Sequence, residues 1–136
     1  MASKILGTLA IAIYAFVVPL LEINTTHLFN SEWLPHARTH EAWQLITNSF
    51  FGLLALWLLW KQDKANYSGV ITIIVMGGFL VAFTLQDTYG GSMALSSYHP
   101  EKTILGFNLG VFGAALSVTL AACSMILSSK DRHSRD

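Results

Sequence analysis

Two histidines in the first third of the chain have the spacing of metal ligands. Pro35 fits the first position of a helix, and His36 and His40 would then lie at i and i+4 on one helix face. Two imidazoles at this spacing can bind one metal ion. The positive end of the helix dipole disfavours a proton on either ring, and neutral imidazole is the form that binds metals. The spacing therefore predicts a site for a divalent metal ion or a proton carrier at this helix start.

Three acidic residues are candidates to complete the site. Glu22 ends the first apolar segment, Glu41 follows His40, and Asp87 ends the third apolar segment. An acid that adjoins a membrane span is a functional candidate by default. We predict that Glu22 converges with His36 and His40 as the third metal ligand, and that Glu41 or Asp87 completes the site. In a catalytic version a histidine would carry the proton and an acid would orient it; whether the chain is an enzyme stays open.

A stripe of polar residues continues from the histidines along the same helix. His40 is followed by Gln44, Thr47 and Asn48 among apolar neighbours. Polar groups inside a membrane need partners within the protein. We therefore predict that Gln44 and Asn48 face the interior of a helix bundle. The predicted lining of a pocket there is Gln44, Asn48, Thr84 and Asn108.

The amino-acid composition indicates which structural elements hold these residues in place. Hydrophobic residues make up 53% of the 136 and charged residues 12%, about half of the roughly 25% usual for soluble domains. At ~20 residues per crossing, the chain has four membrane spans and no room for a soluble catalytic domain. The prediction is an all-α, up-down bundle of four transmembrane helices forming one domain, residues 1–136. The predicted spans are about 5–23, with a kink at Pro19, then 38–60, 67–86 and 103–127, followed by a frayed polar tail, 128–136.

The distribution of cations predicts the orientation in the membrane, because Lys and Arg near span ends stay in the cytoplasm. Six cations fall on one side of the predicted spans, and only Arg38 and Lys102 on the other. Both termini should therefore be cytoplasmic, with the longer loops outside a bacterial inner membrane. The six are Lys4, Lys61, Lys64, Lys130, Arg132 and Arg135. The histidines on the outer side are His27, His36, His40 and His99.

The net charge and the single cysteine limit the partners and covalent links that the chain can have. Eight basic and eight acidic residues give zero net charge, which offers no basis for binding nucleic acid. The single cysteine, Cys123, cannot form an internal disulfide.

Small residues at helical spacing predict close helix packing, within the bundle or against a second copy or a larger membrane complex. These residues are Gly77 and Gly78 in the third span and Gly106, Gly110 and Ala114 in the fourth.

The sequence resembles two groups of membrane proteins. A bundle with a histidine and acids in its outer half is similar to the sterol-isomerase and sigma-2-receptor superfamily, which implies a pocket for a lipid-like ligand among the helices. In this resemblance the histidine would be His36 or His40, and the acids would be Glu41, Glu22 and Asp87. No motif matches residue by residue. The stretch 26–40 resembles a signature of small four-span bacterial membrane proteins and implies no activity. Small multidrug transporters do not fit, because the first span has no acid in its middle.

Three functions are left open by the sequence. The first is a membrane protein whose outward-facing His/carboxylate pocket binds, or also converts, a small hydrophobic or lipid-like molecule with or without a metal. The second is a non-enzymatic accessory subunit of a larger membrane complex. The third is a proton-coupled carrier of small molecules, which the absence of an acid deep within a span disfavours.

Overall fold

A computed structural model describes residues 1–93 and 103–133, and these residues are mostly helical. Four helical segments are long and apolar enough to cross a membrane. The first is the continuous span Ala2–Glu22, made of α1 (Ala2–Ala12), a π-helical segment (Ile13–Val17) and α2 (Val18–Glu22). The other three are α3 (Pro35–Trp60), α4 (Ala65–Thr84) and α5 (Leu109–His133); a 3-10 turn (Gln86–Tyr89) follows α4, and strands β1 (Thr103–Ile104) and β2 (Phe107–Asn108) precede α5.

Consecutive spans are neighbours, and the fourth packs against the first and third. The turn between α3 and α4 is short, and its Asp63 pairs with Lys4 of α1 at 2.9 Å. Next to this pair, the indole of Trp60 donates a hydrogen bond to Thr8 Oγ1 at 2.9 Å. The C-terminal part of α5 meets the start of α1 through Ser124 and Ser3. The start of α1, the turn between α3 and α4 and the C-terminal part of α5 therefore lie at one end of a four-helix bundle, as the up-down prediction requires.

The first span changes its helix type next to a proline. Pro19 has no N–H, so the carbonyl of Ala15, four residues earlier, loses its α-helical partner. A π-helical segment precedes the proline, and Ser49 of α3 donates its hydroxyl hydrogen to the Ala15 carbonyl at 3.1 Å. The irregularity expected at Pro19 thus becomes a contact between the first two spans. A side chain at Gly52, one turn beyond Ser49, would collide with the methyl of Ala15.

Small side chains form the centre of the bundle. Positions that alternate by three and four residues are buried on each span, the seam expected of tightly packed helices. On α5 all four such positions are small, which allows the backbones of α1 and α4 to approach closely. The buried positions are Ser3, Gly7, Ala10 and Tyr14 in the first span; Gly52, Ala55 and Leu59 in α3; Ala65, Gly69, Thr72 and Met76 in α4; and Ala114, Ser117, Ala121 and Ser124 in α5.

Serine hydroxyls connect the first and last spans. Ser3 and Ser124 each donate a hydrogen bond to the other's carbonyl at 2.8 Å, and Ser117 donates to the carbonyl of Ala10 at 2.8 Å. These bonds join residues more than 100 positions apart. Such contacts between membrane helices are worth about 0.6 kcal/mol each on average. Their main effect is to fix which face of α5 meets α1.

Within the chain, most glycines of the predicted ridges make no close contact with another helix. Gly77 and Gly78 of α4 face open space, since an added Cβ would meet one atom at 3.9 Å at Gly77 and none within 4 Å at Gly78. Gly106 lies outside the helix, and Ala114 is fully buried inside the chain. Ala114 is thus unavailable to a partner, and Gly110 is the one residue of the predicted ridge that is both within α5 and exposed.

The fourth helix begins later and ends later than the predicted span. Residues 103–108 form a two-strand hairpin whose turn residues, Leu105 and Gly106, both have positive φ angles, 53° and 82°. This left-handed turn prevents the helix from starting there. Asn108 then caps α5 by accepting hydrogen bonds from the N–H groups of Gly110 at 2.9 Å and Val111 at 3.3 Å. At the other end the helix continues to His133, so the predicted frayed tail is helical up to that residue.

Candidate functional site

The two histidines of α3 lie together on the surface of the bundle. The Nε2 atoms of His36 and His40 are 3.0 Å apart, and both side chains are exposed. The rings meet edge to face, with centroids 4.5 Å apart. In this arrangement one ring donates its Nε2–H to the other. Two nitrogens bound to one tetrahedral metal at 2.0 to 2.1 Å would be separated by about 3.3 Å, so small side-chain rotations suffice to place a cation between them.

Glu22 pairs with a different histidine. Its carboxylate lies 2.8 Å from Nε2 of His27, in the loop between α2 and α3. The ring of His27 also contacts the edge of the Trp33 ring, with centroids 6.0 Å apart. His27 is not in the predicted ligand set, because spacing along the chain does not fix the position of a loop residue. The signal that could have found it is the Asn-Thr-Thr segment after Glu22, which is typical of a turn that folds the chain back.

The hydrogen bonds around His27 indicate where its protons are. Asn24 Oδ1 accepts hydrogen bonds from both the N–H and the hydroxyl of Thr26, each at 2.7 Å. The only hydroxyl hydrogen of Thr26 is used in this way, so its oxygen accepts the bond from His27 Nδ1 at 2.9 Å. Nδ1 therefore carries a hydrogen, and Nε2 faces the Glu22 carboxylate. The contact ties the loop to the end of the first span.

The described residues contain no three-ligand metal site of the predicted kind. Within residues 1–93 and 103–133, no group of three or more His, Cys, Asp or Glu side chains could hold a metal ion. Glu22 is paired with His27, and Glu41 is half-buried on α3. Asp87 is exposed in the 3-10 turn after α4. His99 lies outside the described residues. What remains of the predicted ligand set is the His36–His40 pair.

The polar stripe on α3 winds around the helix instead of facing the interior. Relative to buried Leu45, and at about 100° per residue, His36 lies about 180° away, His40 about 140°, Gln44 about 100° and Asn48 about 60°. The burial follows this rotation: Gln44 is exposed and Asn48 half-buried. The prediction that Gln44 faces the bundle interior is therefore wrong. Neither amide makes a hydrogen bond within the described part of the chain.

Of the other two predicted pocket residues, Asn108 lines an open cleft and Thr84 does not. A cleft of about 560 Å³ is lined by residues from the end of α4, the 3-10 turn, the hairpin and the start of α5. Asp87 and Asn108 are in its wall, and Asn108 also caps α5. Thr84 is exposed and donates its hydroxyl hydrogen to the carbonyl of Val81 at 2.8 Å. The apolar part of the wall consists of Phe83, Met93, Phe107 and Val111.

Comparisons with known proteins add no further constraint. No protein-family model, curated protein or solved structure matches the chain. The function must therefore be argued from the geometry of the molecule itself.

Proposed function

We propose that this protein is a non-enzymatic subunit of a membrane assembly, and that the outer half of α3 is its contact with another membrane protein. This face, called the α3 polar face below, consists of His36, His40 and Gln44. In the proposal the chain lies in a bacterial inner membrane, with both termini in the cytoplasm and the α2–α3 loop outside.

The observation that carries the proposal is the outward position of Gln44. Gln44 lies 16 residues before Trp60, which gives a height of about 24 Å at 1.5 Å per residue. Trp60 contacts the Lys4 side chain at the end of the bundle that holds the start of α1, where an interfacial aromatic residue is expected. With a hydrocarbon core of about 30 Å, the Gln44 amide lies inside the apolar layer. An amide without a partner there costs several kcal/mol, and a neighbouring protein would supply the partner.

The surface around the stripe supports the same proposal. Trp43 and Phe50 both lie to one side of Gln44 on α3 and are 65% and 67% exposed, and the Trp43 ring lies 5.9 Å from that of His40. Large aromatic side chains such as these are enriched in protein interfaces. By contrast, the interior of the bundle is closely packed by small residues together with Ile11, Tyr14 and Leu59.

A photo-crosslinking experiment tests this proposal. We expect a photoreactive phenylalanine analogue at Gln44 to crosslink to protein in native membranes. The matched control is the same analogue at Ile74, which is 68% exposed on the outside of α4 and should crosslink to lipid only. Crosslinks to protein from both positions, or from neither, would contradict the proposal.

Binding of a small amphiphilic molecule is the second candidate, favoured by the cleft beside Asp87. Its volume of about 560 Å³ lies within the range of roughly 300 to 1,000 Å³ common for ligand sites. A carboxylate next to Phe83 and Phe107 suits a molecule with an amine head and an apolar tail. We expect a photoreactive long-chain alkylamine to label the protein saturably, with labelling lost in Asp87→Asn and kept in Glu32→Gln. Equal labelling of the two variants would exclude this function.

A further inference from the structure

We propose that the His36–His40 pair is half of a transition-metal site, and that a second copy of this chain provides the other half. This inference rests on the proposed role of the α3 polar face as a contact surface. It names the partner as an identical chain and the ligand as a divalent cation that prefers imidazole, such as Zn²⁺ or Co²⁺.

The pair is suited to bind a metal but insufficient alone. Its two Nε2 atoms are 3.0 Å apart and exposed, close to the separation that one tetrahedral cation requires. A neutral ring that now donates its Nε2–H can carry that hydrogen on Nδ1 instead, which frees both Nε2 lone pairs for the cation. Zn²⁺ takes four ligands in closed sites. No third His, Cys, Asp or Glu joins the pair within the described part of the chain, so the missing ligands must come from outside it.

The membrane limits how a second copy can approach. Two copies with the same orientation in one bilayer are related by a two-fold axis along the membrane normal, and their α3 helices then run parallel. In such an isologous contact each residue at the centre lies opposite its own counterpart. His36 and His40 of one copy would thus face the same pair of the other at the same height. The two pairs supply four imidazole nitrogens, the ligand number of a tetrahedral site.

Gln44, one helical turn further into the membrane than His40, is also compatible with this two-fold contact. Gln44 is exposed and makes no hydrogen bond within the described residues. A primary amide is both donor and acceptor, so two Gln44 side chains facing each other across a two-fold axis can satisfy each other. The metal would then lie near the surface of the hydrocarbon layer, since His40 is about 30 Å above Trp60. The amide pair would lie directly below it.

The test uses the full chain purified in detergent, with Cys123→Ser so that no thiol can bind the cation. Light scattering measures the mass of the protein in the micelle with EDTA and with added ZnCl₂, and the Co²⁺ absorption spectrum reports the coordination number. We expect a monomer in EDTA and a dimer at one Zn²⁺ per two chains, with the intense visible bands of tetrahedral Co²⁺.

Substitutions test whether the metal-dependent dimer depends on the His36–His40 pair. His36→Ala and His40→Ala should each abolish the metal-dependent dimer, and both are exposed positions where alanine preserves the helix. His27→Ala is the matched control and should leave the dimer intact. Absence of saturable binding, one metal per chain without a change in mass, or equal loss in His27→Ala would overturn the inference. If Gln44 still crosslinks to a different protein in membranes, only the identity of the partner is wrong; if it crosslinks to lipid alone, the proposed function fails as well.

Discussion

Replacing Gly52 by alanine should destabilise the bundle, whereas the same change at Gly78 should stabilise it slightly. A Cβ at Gly52 would collide with the methyl of Ala15, and at Gly78 it would meet nothing within 4 Å. Alanine gains up to about 1 kcal/mol over glycine in a helix, and overpacking typically costs about 1 to 3 kcal/mol. We expect the free energy of unfolding to fall by about 1 to 2 kcal/mol for Gly52→Ala and to rise by less than about 1 kcal/mol for Gly78→Ala.

Unfolding by a denaturing detergent, followed by circular dichroism in mild micelles, measures both changes. The double variant Ala15→Gly/Gly52→Ala moves the methyl group from one helix to the other. It should recover part of the lost stability, since residues in contact show non-additive effects. Equal shifts for Gly52→Ala and Gly78→Ala would mean that α3 does not pack against the first span at Ala15.

Orientation in the membrane should give an all-or-none result in labelling experiments. In a Cys123→Ala background, Ser31→Cys places a thiol in the α2–α3 loop and Gln62→Cys places one in the α3–α4 turn; both positions are exposed. With six cations against two favouring cytoplasmic termini, an impermeant maleimide should label only Ser31→Cys in intact cells. Permeabilised cells should show labelling of both variants.

Ser3 is unsuitable for this experiment, although it lies near the N-terminus. Its side chain is only 5% exposed and is hydrogen bonded to Ser124, so a low labelling yield there would report burial and not sidedness. Labelling of Gln62→Cys in intact cells, with Ser31→Cys protected until permeabilisation, would reverse the orientation. The α3 polar face would then lie in the cytoplasmic half of the membrane.

The helical architecture could be predicted from the sequence because it depends on local properties. Long apolar segments of about 20 residues with few charges determine where helices can cross a bilayer, and four such helices are present. Short polar connections, such as residues 61–64, then require adjacent helices to be antiparallel. The start of α3 at Pro35 also follows from a local rule, since proline favours the first turn of a helix.

The composition of the candidate site could be predicted only in part. The contact between His36 and His40 follows from their spacing on one helix, and it is present. The partner of Glu22 does not follow from spacing, because it depends on how the loop after α2 folds back through Asn24 and Thr26. A loop path is determined by several hydrogen bonds at once, and no single residue type in the sequence reveals it.

Which face of each helix points inward was decided only by tertiary packing. Polarity alone suggested that Gln44 is internal, yet the inward face of α3 is defined by Leu45, Gly52, Ala55 and Leu59. Within a membrane, apolar side chains gain little by leaving lipid for the protein interior, so close approach of backbones decides the packing. Small residues therefore occupy the centre of this bundle, and large apolar ones such as Phe50 remain on its surface. The sequence alone determined four helices able to cross a membrane and one pair of histidines; the packing of small residues determined that this pair faces outward.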